Sequence, residues 1–169
     1  MKFSFSHKFN TDLDKFVELY FNEDCNNFLD NNLQIKERKL LKMKENKTTI
    51  SSEYLVVPDR KIPDQIKSFI KNKISYIEKR VFHKNTNILC FEIIPGMFSD
   101  QIKCRGVCKL KQIKKKSIIR EVEGELFVNL PLIGQLAEKL IYDEIIESFE
   151  KSTKFTKQYL NGSKTTKTK

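Results

Sequence analysis

From Pro131 onward the apolar residues change period, and this change constrains the fold more than any other feature of the chain. Ile133, Leu136, Ala137, Leu140, Ile141, Ile145, Phe149, Phe155 and Tyr159 fall on one helical stripe with charges opposite. The spacing predicts a single helix from Pro131 to about Leu160, about 45 Å long at about 1.5 Å per residue. A stripe of that length needs a cover of similar extent, and the chain before it reads mainly as strands.

Phe3, Phe5, His7 and Phe9 alternate with Lys2, Ser4, Ser6 and Lys8, as on a half-buried strand. Asn10 or Thr11 is then placed to cap a helix, with Asp12 and Asp14 in its first turn and Leu13, Phe16, Val17 and Tyr20 at helical spacing. A second short helix is expected over about Asp24 to Asp30. Leu33 to Met43 and Thr48 to Val57 read as a hairpin around Glu45-Asn46-Lys47, and Ile62-Pro63-Asp64-Gln65 as the entry to another short helix. Strands follow at about 74–83, 87–94, 100–112 and 117–130. Ile102, Cys104, Gly106, Cys108 and Leu110 share one face of the third of these. Val122, Gly124, Leu126, Val128 and Leu130 share one face of the last, with Glu121, Glu123 and Glu125 toward solvent. Short turns make these strands antiparallel, and a twisted sheet must curl to cover so long a helix. The fold class read from this order is α+β: a curved antiparallel sheet of about seven strands around a long C-terminal helix, with two short helices after strand one. Residues 1–160 form one domain, and the polar, lysine-containing stretch 161–169 is expected to be a disordered tail.

Apolar residues make up 39% and charged residues 32% of the 169, with 13 Phe and no Trp, a globular composition. No basic start leads into an apolar leader with a cleavage site, and no apolar run approaches the roughly 20 residues that span a bilayer, so a soluble, cytoplasmic protein is expected. Cys25, Cys90, Cys104 and Cys108 lack the paired spacing of a zinc site and the density of a disulfide scaffold, and read as reduced, mostly buried thiols. The net charge of +10 raises the question of nucleic acid. Lysine is spread along the whole chain and far outnumbers arginine, the residue that recognises phosphates and bases with fork geometry, so nucleic acid is not the expected partner.

Phe5-Ser6-His7 with the helix after it, Ile62-Pro63 before the short helix, and above all Gly124-Glu125-Leu126-Phe127-Val128-Asn129-Leu130-Pro131-Leu132-Ile133-Gly134 carry a resemblance. From Phe3 to about Leu160 the chain resembles the START-like (SRPBCC) superfamily, which includes polyketide cyclases and the birch-pollen-allergen fold. Within it, the chain is most similar to a bacterial family of uncharacterised function. The resemblance implies a helix-grip fold and a hydrophobic small molecule or lipid held between sheet and helix. It offers no catalytic residue to carry over, and no cofactor is expected.

Phe5, His7, Tyr54, Phe91, Cys104, Cys108, Leu126, Leu136 and Leu140 are the residues placed to line such a cavity, or else to close a packed core. His7, on an apolar strand face, either orients a ligand or acts as an acid or base near neutral pH, or else satisfies a hydrogen bond within the core, which is the expected role. Cys104 and Cys108, four apart on one strand, are separated by about 13 Å and do not share a metal directly. Lys109, Lys111, Lys114, Lys115, Lys116 and Arg120 form a basic patch. It is either a solvated hairpin tip or a surface for transient docking on an anionic membrane or, less in keeping with the composition, on nucleic acid. A cyclase-like enzyme is a further alternative for which the residues supply no specific sign.

Overall fold

The computed structural model describes residues 1–59, 64–67, 69–70 and 73–165. Strand β1 (Lys2–Phe9) leads into helices α1 (Leu13–Leu19) and α2 (Glu23–Asn32). Strands β2 (Ile35–Glu45) and β3 (Thr49–Pro58) follow, then helix α3 (Asp64–Lys67). Strands β4 (Tyr76–His83), β5 (Ile88–Pro95), β6 (Ile102–Lys114) and β7 (Ser117–Val128) complete the sheet before helix α4 (Gly134–Thr165). All seven strands form one antiparallel sheet in the order β1-β7-β6-β5-β4-β3-β2. The first strand therefore pairs with the last, and α1 and α2 carry the chain from one edge of the sheet to the other. This is the helix-grip architecture, and the alternation in β1, β6 and β7 turns Phe3, Phe9, Cys104, Cys108, Leu110, Val122 and Leu126 into one buried cluster beneath α4.

Several boundaries differ from the sequence expectation. Asp12, and not Asn10 or Thr11, caps α1, its carboxylate accepting from the Lys15 amide at 2.9 Å, and Asn22 does the same for α2 from the Cys25 amide at 2.8 Å. α4 begins at Gly134 and not at Pro131, because Leu132 adopts φ 67° and Pro131 to Ile133 form a tight turn closed by an Ile133 N–H bond to the Pro131 carbonyl. Leu132 is left 98% exposed. The helix continues past Leu160 to Thr165. The expected helix entry at Ile62 and Pro63 lies outside the described residues, although Asp64–Lys67 is helical.

Gly106 and Gly124 sit opposite each other on β6 and β7. A Cβ on Gly124 would lie 2.2 Å from Cζ of Phe3, and one on Gly106 would lie 2.5 Å from both Cζ of Phe91 and the Glu123 carbonyl oxygen. Only glycine lets these two rings lie directly on the backbone there. In β2, register shifts between Ile35 and Glu37 and between Leu40 and Lys42 break the alternation. Arg38 turns inward there, with 11% of its side chain exposed.

Candidate functional site

The interior between sheet and helix has an aromatic tier. Phe149 of α4 packs on Phe5 with ring centroids 4.9 Å apart, on Phe91 at 6.1 Å and on Phe3 at 6.2 Å, while Phe5 stacks on His7 at 6.0 Å. Phe5 and Phe91 thus stand where the sequence placed them, facing inward. So do Cys104, Cys108 and Leu126, which are fully part of the packed core. Leu140 is half-buried. Leu136 does not belong to the interior, being 39% exposed. The helix presents Ala137 to the sheet in this turn, and a neighbouring residue points about 100° away from it.

Beside the aromatic tier lies a group of charges that the sequence reading did not place inside. Arg80 grips Glu78 with two bonds of 3.0 and 2.9 Å and donates a third to the Tyr20 carbonyl at 2.7 Å. Arg38 reaches Glu78 at 2.6 Å and binds both oxygens of Asp30 on α2 at 2.9 and 3.0 Å. Burial alone would raise the Glu78 carboxyl, but the two guanidiniums outweigh it and hold the group down to about 2. Burial raises Asp30 despite Arg38 beside it. Tyr54 is buried here, its ring beneath Arg38 at 5.6 Å and Arg80 at 5.1 Å, so this cavity candidate serves as a platform for two cations. Tyr76, Glu78, Arg80 and Phe82 share one face of β4, and two opposite charges between aromatics on that face were the available signal.

Arg120 is the main correction to the basic patch. It is 5% exposed and points into the grip, in phase with Ile118 and Val122 on β7. The alternation that puts Val122 and Gly124 inward applies equally to residue 120, so the signal was present in the sequence. Its guanidinium donates to Thr153 Oγ1 of α4 at 2.8 Å, to Nδ1 of His7 at 3.2 Å and to the Tyr20 hydroxyl at 3.4 Å. It also stands over the rings of Phe9 at 5.2 Å and Phe149 at 5.7 Å. Since arginine only donates, His7 accepts at Nδ1 and carries its proton on Nε2, 3.6 Å from the exposed Glu150 carboxylate. Burial, and after it Arg120, lowers the affinity of His7 for a second proton. The Tyr20 hydroxyl is pushed up to about 12 by burial and stays protonated.

The remaining patch lysines lie outside. Lys109 pairs with Glu123 at 3.0 Å and Lys111 with Glu121 at 2.7 Å, while Arg105 pairs with Glu125 at 2.7 Å. Opposite charges therefore alternate across the outer face of β6 and β7, and only Lys114, Lys115 and Lys116 remain as an exposed basic turn. A shallow open depression on this outer face, bordered by Lys2, Cys90, Arg105, Val107 and Glu123, lies behind the glycine pair. All four cysteines are free, and burial raises the thiols of Cys25, Cys104 and Cys108 to about 11. Among the described residues no group of three or more His, Cys, Asp and Glu side chains could hold a metal ion, and no helix is long and apolar enough to cross a membrane.

A family described as "Protein of unknown function (DUF2505)" matches residues 4–160. Among curated protein sequences none matches. Solved structures share the fold at low identity. A START superfamily protein from Mycobacterium smegmatis has a TM-score of 0.62 at 14% identity, over 94% of this chain and 98% of that one. The Zhui aromatase/cyclase from Streptomyces has a TM-score of 0.61 at 7% identity, over 94% and 92%. Norcoclaurine synthase from Thalictrum flavum, in complex with dopamine and hydroxybenzaldehyde, has a TM-score of 0.61 at 12% identity, over 92% and 86%.

Proposed function

The chain belongs to the DUF2505 family of proteins of unknown function, within the START-like fold, and from that premise we propose that it binds a hydrophobic small molecule or lipid between its sheet and α4. One observation carries the reading. Phe91 and Ile93 of β5 and Ile141, Tyr142, Ile145 and Phe149 of α4 pack against the buried core yet remain only half-buried. An apolar side chain that packs on the core and keeps part of its surface open offers area that a ligand can dehydrate. A neighbour of the same fold holds two small aromatic molecules, which supports the same use of the grip here. Glu78 is locked by two arginines and His7 by Arg120, so neither is poised as a base.

The experiment is titration of purified protein with Nile red, together with native mass spectrometry for a co-purifying molecule. Saturable binding of one equivalent, abolished by Ile145→Trp at unchanged thermal stability, is the expected result. Binding that survives the filling substitution sinks the proposal.

A second reading concerns contact with an anionic membrane. The outermost strand β2 exposes Leu40, Leu41 and Met43, each 45–49% accessible, among Lys36, Lys39, Lys42 and Lys44. Apolar side chains flanked by lysines suit the interface of an anionic bilayer better than the glutamate-paired face of β6 and β7 does. Flotation with phosphatidylserine vesicles would support it if binding fell on replacing Lys39, Lys42 and Lys44 by Ser. Equal flotation of both proteins would end it.

A further inference from the structure

Three arginines lie inside the grip, and two carboxylates face them. Asp30 and Glu78 match Arg38 and Arg80. Arg120 is left over. It is as deeply buried as any charged group here, and among the described residues no carboxylate lies within hydrogen-bonding reach of its guanidinium. Among the described residues the partners of its hydrogen bonds and ring contacts are uncharged: a threonine and a tyrosine hydroxyl, a neutral imidazole and two phenyl rings. Among the described residues its Nε–H has no hydrogen-bond partner. A buried cation without a counter-charge and a buried N–H without an acceptor are both costly, and one anion would relieve both.

We propose that the grip takes an amphipathic monocarboxylate, its carboxylate accepting from Nε of Arg120 and its hydrocarbon part lying along Phe149, Phe91 and Ile145. The proposal rests on the hydrophobic-ligand reading above and names the ligand class. The position follows from the hydrogen bonds. Both protons of Arg120 Nη2 are already used, by Thr153 and His7, whereas an acceptor at Nε displaces no protein contact. The hydrocarbon path follows from Phe149, whose ring lies 5.7 Å from the Arg120 guanidinium carbon and 6.1 Å from the Phe91 ring. The number of charges follows from the count of buried groups, three cations against two anions, which leaves room for one negative charge. His7 adds none, because its Nδ1 accepts from Arg120. A doubly charged headgroup would therefore be left partly uncompensated in a low-dielectric interior.

Three ligands of one chain length separate the possibilities: dodecanoate, dodecan-1-ol and dodecyl phosphate, titrated by calorimetry into the full-length protein. A charge-assisted hydrogen bond predicts that dodecanoate binds roughly 10- to 100-fold tighter than the alcohol. Dodecyl phosphate is expected to bind more weakly than dodecanoate. In Arg120→Gln the acid and the alcohol should bind alike, and Arg120→Lys, which keeps the cation, should retain part of the preference. Near-ultraviolet circular dichroism checks that each variant is folded, and the acid-to-alcohol ratio of the unaltered protein is decisive even if neither variant folds. Lys115→Ser with Lys116→Ser, on the exposed turn, should leave the ratio unchanged. Equal binding of acid and alcohol, tighter binding of the phosphate, or a preference lost in the Lys115 and Lys116 variant overturns the monocarboxylate assignment while leaving the hydrophobic-ligand reading intact. Failure of all three ligands to bind overturns both.

Discussion

Nδ1 of His7 on β1 accepts a hydrogen bond from Arg120 on β7 at 3.2 Å, across the one strand pair that joins the beginning of the sheet to its end. The bond requires an unprotonated Nδ1, and burial followed by Arg120 holds His7 below its ordinary value. Protonation thus favours the unfolded chain. The stability due to His7 is complete above its unfolded value of about 6.5 and is lost as pH falls through the lower folded value. Urea midpoints should drop between about pH 7.5 and pH 5.5, and the drop should be smaller in His7→Gln. A drop of equal size in both proteins would contradict this account.

Glu78 serves two buried arginines at once. Glu78→Gln keeps the shape but leaves Arg38 with Asp30 alone and Arg80 without a carboxylate, and should cost about 3–5 kcal/mol in urea unfolding. A loss below about 1 kcal/mol, the scale of an exposed pair, would mean that water reaches the cluster freely.

The glycine pair gives a contrast between two substitutions of the same size. Gly106→Ala drives a methyl group against the Glu123 carbonyl, so it should cost about 1–3 kcal/mol and not be rescued by Phe91→Leu. The first obstacle to Gly124→Ala is the Phe3 ring, and Phe3→Leu in the same chain should recover part of the loss. Thermal unfolding of the four proteins tests it, and equal rescue at both positions would show that the backbone contact is not limiting.

The outer charge ladder should matter little. Glu123→Gln removes an exposed partner of Lys109 and should change stability by less than about 1 kcal/mol, with the difference shrinking as salt is added. A larger, salt-independent change in urea unfolding would assign this face a structural weight that exposure argues against.

Local periodicity determined much of this protein. The alternation of Phe3, Phe5, His7 and Phe9, the inward phase of Cys104, Cys108 and Leu126, and the helical stripe of Ala137, Ile141, Ile145 and Phe149 are properties of neighbouring residues, so hydrophobic spacing alone carried them. Periodicity also pointed Arg120 inward, but a charge on an apolar face reads as a surface residue until something is seen to receive it. What receives Arg120, namely Thr153 from α4, Tyr20 from the end of α1 and His7 from the opposite end of the chain, was brought together only by the closure of the sheet through β1 and β7. The same holds for the rest of the polar interior. Arg38 turned inward through register shifts in β2 that depend on its pairing with β3, and it met Asp30 and Glu78 only because α2 packs against that edge. Spacing along a chain sets which face a side chain takes. Which charges share that face, and which of them is left without a partner, depends on contacts between residues far apart in sequence, and those exist only in the folded sheet.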